Sequence, residues 1–416
     1  LAENAKLYQS RKGHLTFIGP ESDYSSPLTS PPIRYSSLGH ACRVSLLYFD
    51  FNRTTPLAPS VLEAMQPYWS THYLLPGQQH AHAHAVSEAL ENARESVASM
   101  AGCESFEVVF TSGGTESNNL AILGALGTTR PGHVLVSEIE HESVLGPIRG
   151  LAHRDPRWQI ERIPCRPCGT IDPLAVESLL REDTRLVCVQ GANAILGTIQ
   201  PVREIADRCH NQGIPLHCDA TQMFGKVAVD VKGLRADTVT ISGHKFYGPK
   251  GSGAVYIRRG LKLDPITFGE PREMGLRPGA ENVPACIGLG AASSLAERFC
   301  TSGTESLSDL RDQLIQRLYE QMSDPPIVLC EHSERLPNTI AMELPGDVRT
   351  LTDSARELAI AYAQTSSPPD EFTRSLRAIG RSDAQIARTI RLSIGWTTSS
   401  EQIDRAADLI AMAYER

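Results

Sequence analysis

Nowhere in its 416 residues does this chain hold an apolar run long enough to span a bilayer. Basic residues are not in excess either, since Lys and Arg number 40 against 48 Asp and Glu, a formal net charge of -8. That balance points away from a nucleic-acid or membrane partner. The ten cysteines are spread along the chain instead of being packed into a small disulfide framework. This usage fits a reducing, cytoplasmic setting. A last absence bears on chemistry: beyond Cys330 the chain contains no cysteine.

What is present divides into two parts. Residues 1–46 are rich in Ser, Pro and Tyr without helical or strand periodicity, and read as an irregular N-terminal extension. They lack the apolar core of a secretory signal, and Glu3, Glu21 and Asp23 interrupt any transit-peptide pattern. From Leu46 onward, short β-branched runs alternate with amphipathic helical patterns, as in "FEVVFTSGGTESNNLAILGAL" and "RLVCVQGANAILGT". This alternation predicts an α/β fold with a mainly parallel, doubly wound sheet. Ligands in such sheets bind beyond the carboxyl ends of the strands, where the polar clusters of this chain fall.

Four clusters carry the chemistry. In "TISGHKFYGPKGSG", Lys245 follows a buried strand and is surrounded by glycines, with Ser242 and His244 beside it. A lysine held there is a candidate Schiff-base nucleophile, although a surface lysine on a polar loop is the simpler reading in isolation. In "FTSGGTESN", Gly113 and Gly114 turn the backbone into a helix beginning near Thr115, whose free N–H groups suit a phosphate. Asp219 closes the strand of "LHCDATQ", three residues before Gln222, and either caps a helix or faces a cation such as a protonated pyridine. His141, in "EHESV", could cover a flat ring or move protons. No metal site is expected. The histidines of "QQHAHAHA" and the cysteines of "CRPC" lack the further ligands that a metal requires.

Taken together, these clusters resemble the class V aminotransferases, fold-type I enzymes of pyridoxal phosphate, and most of all the cysteine desulfurases and selenocysteine lyases. The resemblance spans about residues 47 to 416. It also draws on "FDFNRTTP", "GTIQPV", "GLRPGAEN", "LPNT" and "TIRLSIGWTT". It implies a large domain over 62–304 with a seven-stranded sheet, and a small α+β domain from 47–61 and 305–416. It further implies pyridoxal 5'-phosphate on Lys245, with Asp219 at the ring nitrogen, Gln222 at the ring hydroxyl and His141 over the ring. Gly114, Thr115, Ser242 and His244 would hold the phosphate, and Asn52 and Arg391 the amino-acid substrate. A homodimer is implied, because the loop from Arg277 to Asn282 would complete the neighbour's phosphate site. The family also implies a sulfur-acceptor protein as a partner.

Departures from the family are as informative. Desulfurases carry a catalytic Cys in a mobile loop where this chain has Gln364, in "AYAQTSSPPDEF". An amide is no nucleophile. Ala194 and Ile195 replace an Asn and a Glu, Ala280 replaces a phosphate-binding hydroxyl, and Arg53 stands where a small residue is usual. Three functions follow: a lyase cleaving Cβ–S or Cβ–Se by β-elimination, a desulfurase whose sulfur is accepted elsewhere, or a silent homologue serving as a scaffold.

Overall fold

The computed structural model describes residues 46–127, 129–364 and 369–415. The extension, apart from Leu46, and Pro368 lie outside the described residues. Residues from Leu46 onward form one compact unit.

Its centre is a seven-stranded sheet. In spatial order the strands are Val108–Thr111, Gly253–Ile257, Thr238–Ser242, Leu216–Asp219, Thr184–Cys188, His133–Ser137 and Gln159–Ile163. Every pairing is parallel except the two made by Gly253–Ile257. Helices cover the sheet, so the inner strands are buried on both faces, and Thr240, His217 and His133 are as buried as the Val, Ile, Leu and Cys beside them. On the outside, the helices Ala81–Ala101 and Val283–Ser302 cross closely. A Cβ at Gly290 would stand only 2.6 Å from Ala93 Cα.

A four-stranded antiparallel sheet lies further along the chain, in the order Ala361–Tyr362, Thr389–Ser393, Thr339–Glu343, Ile327–Val328. The helices Thr304–Gln321 and Ser400–Tyr414 close its apolar face. Strand periodicity puts Ile390 and Leu392 into that core and leaves Arg391 on the other face. Near the N-terminus, Leu47–Tyr48 pairs in parallel with Leu358–Ala359 and leads into Asn52 and Arg53. Trp396, just past the strand Thr389–Ser393, stacks on Tyr247 at 4.2 Å and on Phe299 at 4.5 Å.

Candidate active site

The parallel strands end at one edge of the sheet, and a cavity of about 380 Å³ opens beyond them. Asn52, Gly114, Thr115, His141, Asp219, Gln222, Ser242, His244, Lys245 and Arg391 all line it. Gln364 does not. It is exposed, with its backbone amide on Asp370 at 3.2 Å, and stands outside the cavity wall. A larger cavity, about 650 Å³, lies at the opposite strand ends. There His210 and Arg258 are already bound to the buried Asp237.

Lys245 sits on a single 3-10 turn that continues the strand Thr238–Ser242. The segment 52–55 clamps this turn from above. Thr55 donates its amide and hydroxyl to His244 O at 2.9 and 3.1 Å, and Tyr247 N donates to Thr55 Oγ1 at 2.7 Å. Lys245 Nζ therefore points back at the carbonyls of Asn52 and Arg53, at 2.8 and 2.9 Å. Burial pulls its ammonium down to about 8, with Glu371 and Asp219 opposing the fall and Arg391 adding to it. A lysine so placed yields a free amine from about pH 8, well below an ordinary lysine.

Asp219 ends its strand in a buried position. One oxygen accepts Asn118 Nδ2 at 2.8 Å and the other accepts the Thr221 amide at 3.0 Å. Among the described residues no lysine or arginine pairs with it. Behind Asn118 stands His217, fully buried, which burial drives down to about 4 against the pull of Asp219. This neutral imidazole and the amide hold the carboxylate from behind. Asn118 also reaches Ser143 at 2.8 Å, and the Ser143 amide donates to His141 Nδ1 at 3.0 Å. That amide fixes the tautomer, placing the His141 proton on Nε2, which faces Glu371 at 3.9 Å.

The phosphate-type cradle is built from the helix Gly114–Gly127 and the two neighbouring strand ends. The helix starts with unpaired N–H groups and a positive dipole end. A Cβ at Gly114 would stand in ordinary contact with Thr221 Oγ1 at 3.4 Å and Ser242 Cβ at 3.5 Å, so these side chains flank the helix start. Thr221 Oγ1 is buried with no hydrogen-bond partner. His244 Nδ1 meets Thr54 Oγ1 at 3.1 Å, and burial, with Lys245 and Lys250, lowers it to about 4. A neutral His244 donating from Nε2 fits a bound phosphate.

Sequence reasoning missed Asn118, Ser143, Thr221, Glu140, Lys226 and Asp50. Thr221 lies inside the motif "DATQ" and could have been found there. Lys226 could not, because only the fold buries it. Its Nζ meets Asn52 Oδ1 at 2.9 Å and Gln222 Oε1, and burial, then Lys245 and Arg391, hold it well below the ordinary lysine range. Gln222 in turn donates to Asn52 O at 3.1 Å. Glu140, wholly buried, is pushed well above the carboxylate range by burial and then by Asp219. Arg391 is buried against Asp50 and Ser393, and its Nε has no partner.

The donor set suits pyridoxal phosphate: an amine of lowered basicity, an unpaired buried carboxylate for a cationic ring nitrogen, and an orphaned hydroxyl at a helix start. Fold and site thus define a pyridoxal phosphate enzyme of fold type I. The chain belongs to the Aminotransferase class-V family, whose model matches residues 47–406. It is 37% identical over 376 residues to the cysteine desulfurase IscS 1 of Archaeoglobus fulgidus, covering 89% of this chain and 97% of that one. With a cysteine desulfurase of Mus musculus it shares 35% over 375 residues, 87% of this chain and 80% of the other. Among solved structures, a NifS-like protein superposes with a TM-score of 0.82 at 29% identity, over 89% of this chain and 99% of the other. SspA in complex with cysteine gives 0.74 at 32%, over 83% and 98%. The protein is a pyridoxal phosphate-dependent enzyme of the cysteine desulfurase-like group.

Proposed function

We propose that this enzyme is a C–S lyase, which cleaves the Cβ–S bond of a sulfur-containing amino acid by β-elimination. One observation carries the reading: no cysteine lines the cavity among the described residues, and the chain holds none beyond Cys330, so we read Gln364 as standing where the group places a thiol. The similarity to SspA, solved in complex with cysteine, supports an amino acid as substrate.

Bound in this cavity, pyridoxal phosphate would act as an electron sink conjugated to the substrate's α-carbon. Asp219 would hold the ring nitrogen, and the Gly114 helix start with Thr115, Thr221, Ser242 and His244 would hold the phosphate. His141 would lie against the ring and Gln222 near its hydroxyl. Arg391, with Asn52 beside it, would fix the substrate carboxylate through paired N–H donors. Lys245 Nζ, deprotonated near its value of about 8, would take the Cα proton. Loss of that proton drives out the β-substituent as a thiolate, which Lys245 or water reprotonates. The released enamine takes up water and gives pyruvate and ammonia. A desulfurase must instead deliver a nucleophile to sulfur, and the Gln364 amide offers none.

Restoring the thiol tests the reading. Gln364→Cys is expected to raise the yield of alanine from cysteine at the expense of pyruvate. No change in the product ratio, with the cofactor still bound, would mean that the loop does not decide the reaction.

We further propose a homodimer and two lobes, 62–304 against 47–61 with 305–416. Trp69, Tyr73, Leu75, Phe268 and Met274 are exposed on segments that meet where Arg272 reaches Pro76 O at 3.4 Å. Such an apolar surface fits a second copy. Within one chain, Arg277 engages Glu116 at 3.2 Å.

A further inference from the structure

A second cluster of thiols lies outside the cofactor cavity. The hairpin from Cys165 to Ile171 closes through Arg166 N to Thr170 O at 2.9 Å and Gly169 N to Arg166 O at 2.8 Å, leaving Cys168 exposed at its tip. Cys330 comes from a distant part of the chain. It follows the strand Ile327–Val328 with φ at +53°, a left-handed conformation that turns the chain back toward the hairpin. Its sulfur touches the residues on both sides of Cys168. Cys330 Sγ lies 4.0 Å from Pro167 O, and a Cβ at Gly169 would stand 2.9 Å from it. Ser333 Oγ, donating to Cys168 O at 2.6 Å, pins the two segments together.

We infer that Cys168 and Cys330 form a thiol–disulfide site, in which Cys168 attacks a small-molecule disulfide and Cys330 resolves the adduct into an intramolecular bond. In the first step the Cys168 thiolate bonds to one sulfur of the disulfide and expels the other as a thiolate. In the second, Cys330 loses its proton, bonds to the Cys168 sulfur and expels the second small thiol. The two cysteines are oxidised and one disulfide is reduced to two thiols, so the exchange balances.

The roles follow from the surroundings. Burial raises the Cys168 thiol, but the Thr170 hydroxyl at 3.1 Å, the Thr170 amide and Ser333 outweigh it and bring the thiol below its ordinary value. Cys330 is half-buried and raised to about 11, which makes it the slower, resolving partner. Cys165 is buried, bound to Arg166 O at 3.4 Å and raised to about 12, so it stays out of the exchange. The bond would tie the hairpin to residues 334–336. These pair with the loop 197–199, through Ile199 N to Glu334 O at 2.9 Å and Leu336 N to Gly197 O at 2.8 Å. That loop follows Ala194 and Ile195 in the cavity wall.

Full-length protein incubated with glutathione disulfide and digested without reductant is expected to give a linked peptide pair joining Cys168 and Cys330. Cys330→Ser should stop at a glutathione adduct on Cys168, and Cys168→Ser should give neither product. If wild-type protein keeps a stable glutathione adduct on Cys168, or links Cys168 to Cys165, the assignment fails. Should a serine variant not fold, the wild-type peptide map still decides, because it alone distinguishes these outcomes.

Discussion

Lys245 concentrates the chemistry, and its setting makes a sharp expectation. Ordinary lysines titrate at about 10.4, whereas burial brings Lys245 to about 8. In the cofactor-free protein, the rate of labelling by an amine-reactive reagent should rise through about pH 8 at Lys245 and roughly two units higher at surface lysines. Peptide mapping across a pH series measures this, and equal midpoints would remove the argument for an activated amine. The sequence made this residue legible only in company: alone Lys245 reads as a surface lysine, and Asp219, His141 and the Gly113–Gly114 turn in one order give it a role. Lys226 stayed hidden for the opposite reason. It looks like any polar lysine, and only the fold reveals that Asn52 and Gln222 enclose it. Gln364 marks the limit in another direction: its residue type was readable, but its place outside the cavity required the fold.

At the scale of elements, the site depends on a close approach that sequence merely hinted at. The strand Gly253–Ile257 begins against the turn that starts the phosphate-type helix. A Cβ at Gly253 would stand 2.6 Å from Gly113 Cα and 2.7 Å from Ile241 O, and Gly113 itself holds φ at +139°. Both contacts are backbone, so neither can give way cheaply. Gly253→Ala should cost about 1–3 kcal/mol of stability, the usual range for overpacking. It should also weaken cofactor binding tenfold or more by displacing the helix start. Urea unfolding and an absorbance titration with pyridoxal phosphate read the two effects, and a variant matching wild type in both would show that the turn is not held there. Alternating strands and helices were plain from the chain, because short β-branched runs alternate with amphipathic helical patterns. The antiparallel strand Gly253–Ile257 was not, since its apolar run carries no sign of direction.

Over the whole molecule, two expectations remain. Exposed Trp69, Tyr73 and Phe268 should be covered by a second copy, so sedimentation at micromolar concentration should give twice the chain mass of 45.3 kDa. A monomer would leave that surface without an occupant. The resemblance was legible because so many short motifs recur in one order. The reaction was less so, because the proposed elimination rests on reading Gln364 in place of a thiol, and Gln364 does not line the cavity that holds Arg53 and Glu371. In the proposed mechanism elimination and desulfuration both need Lys245 to take the Cα proton, and they part at the sulfur. The most direct measurement is therefore the product formed by wild-type protein, loaded with pyridoxal phosphate, from cysteine and from cystine. Pyruvate and ammonia in equal amounts are expected, while alanine released in step with a persulfide on the protein would contradict the account.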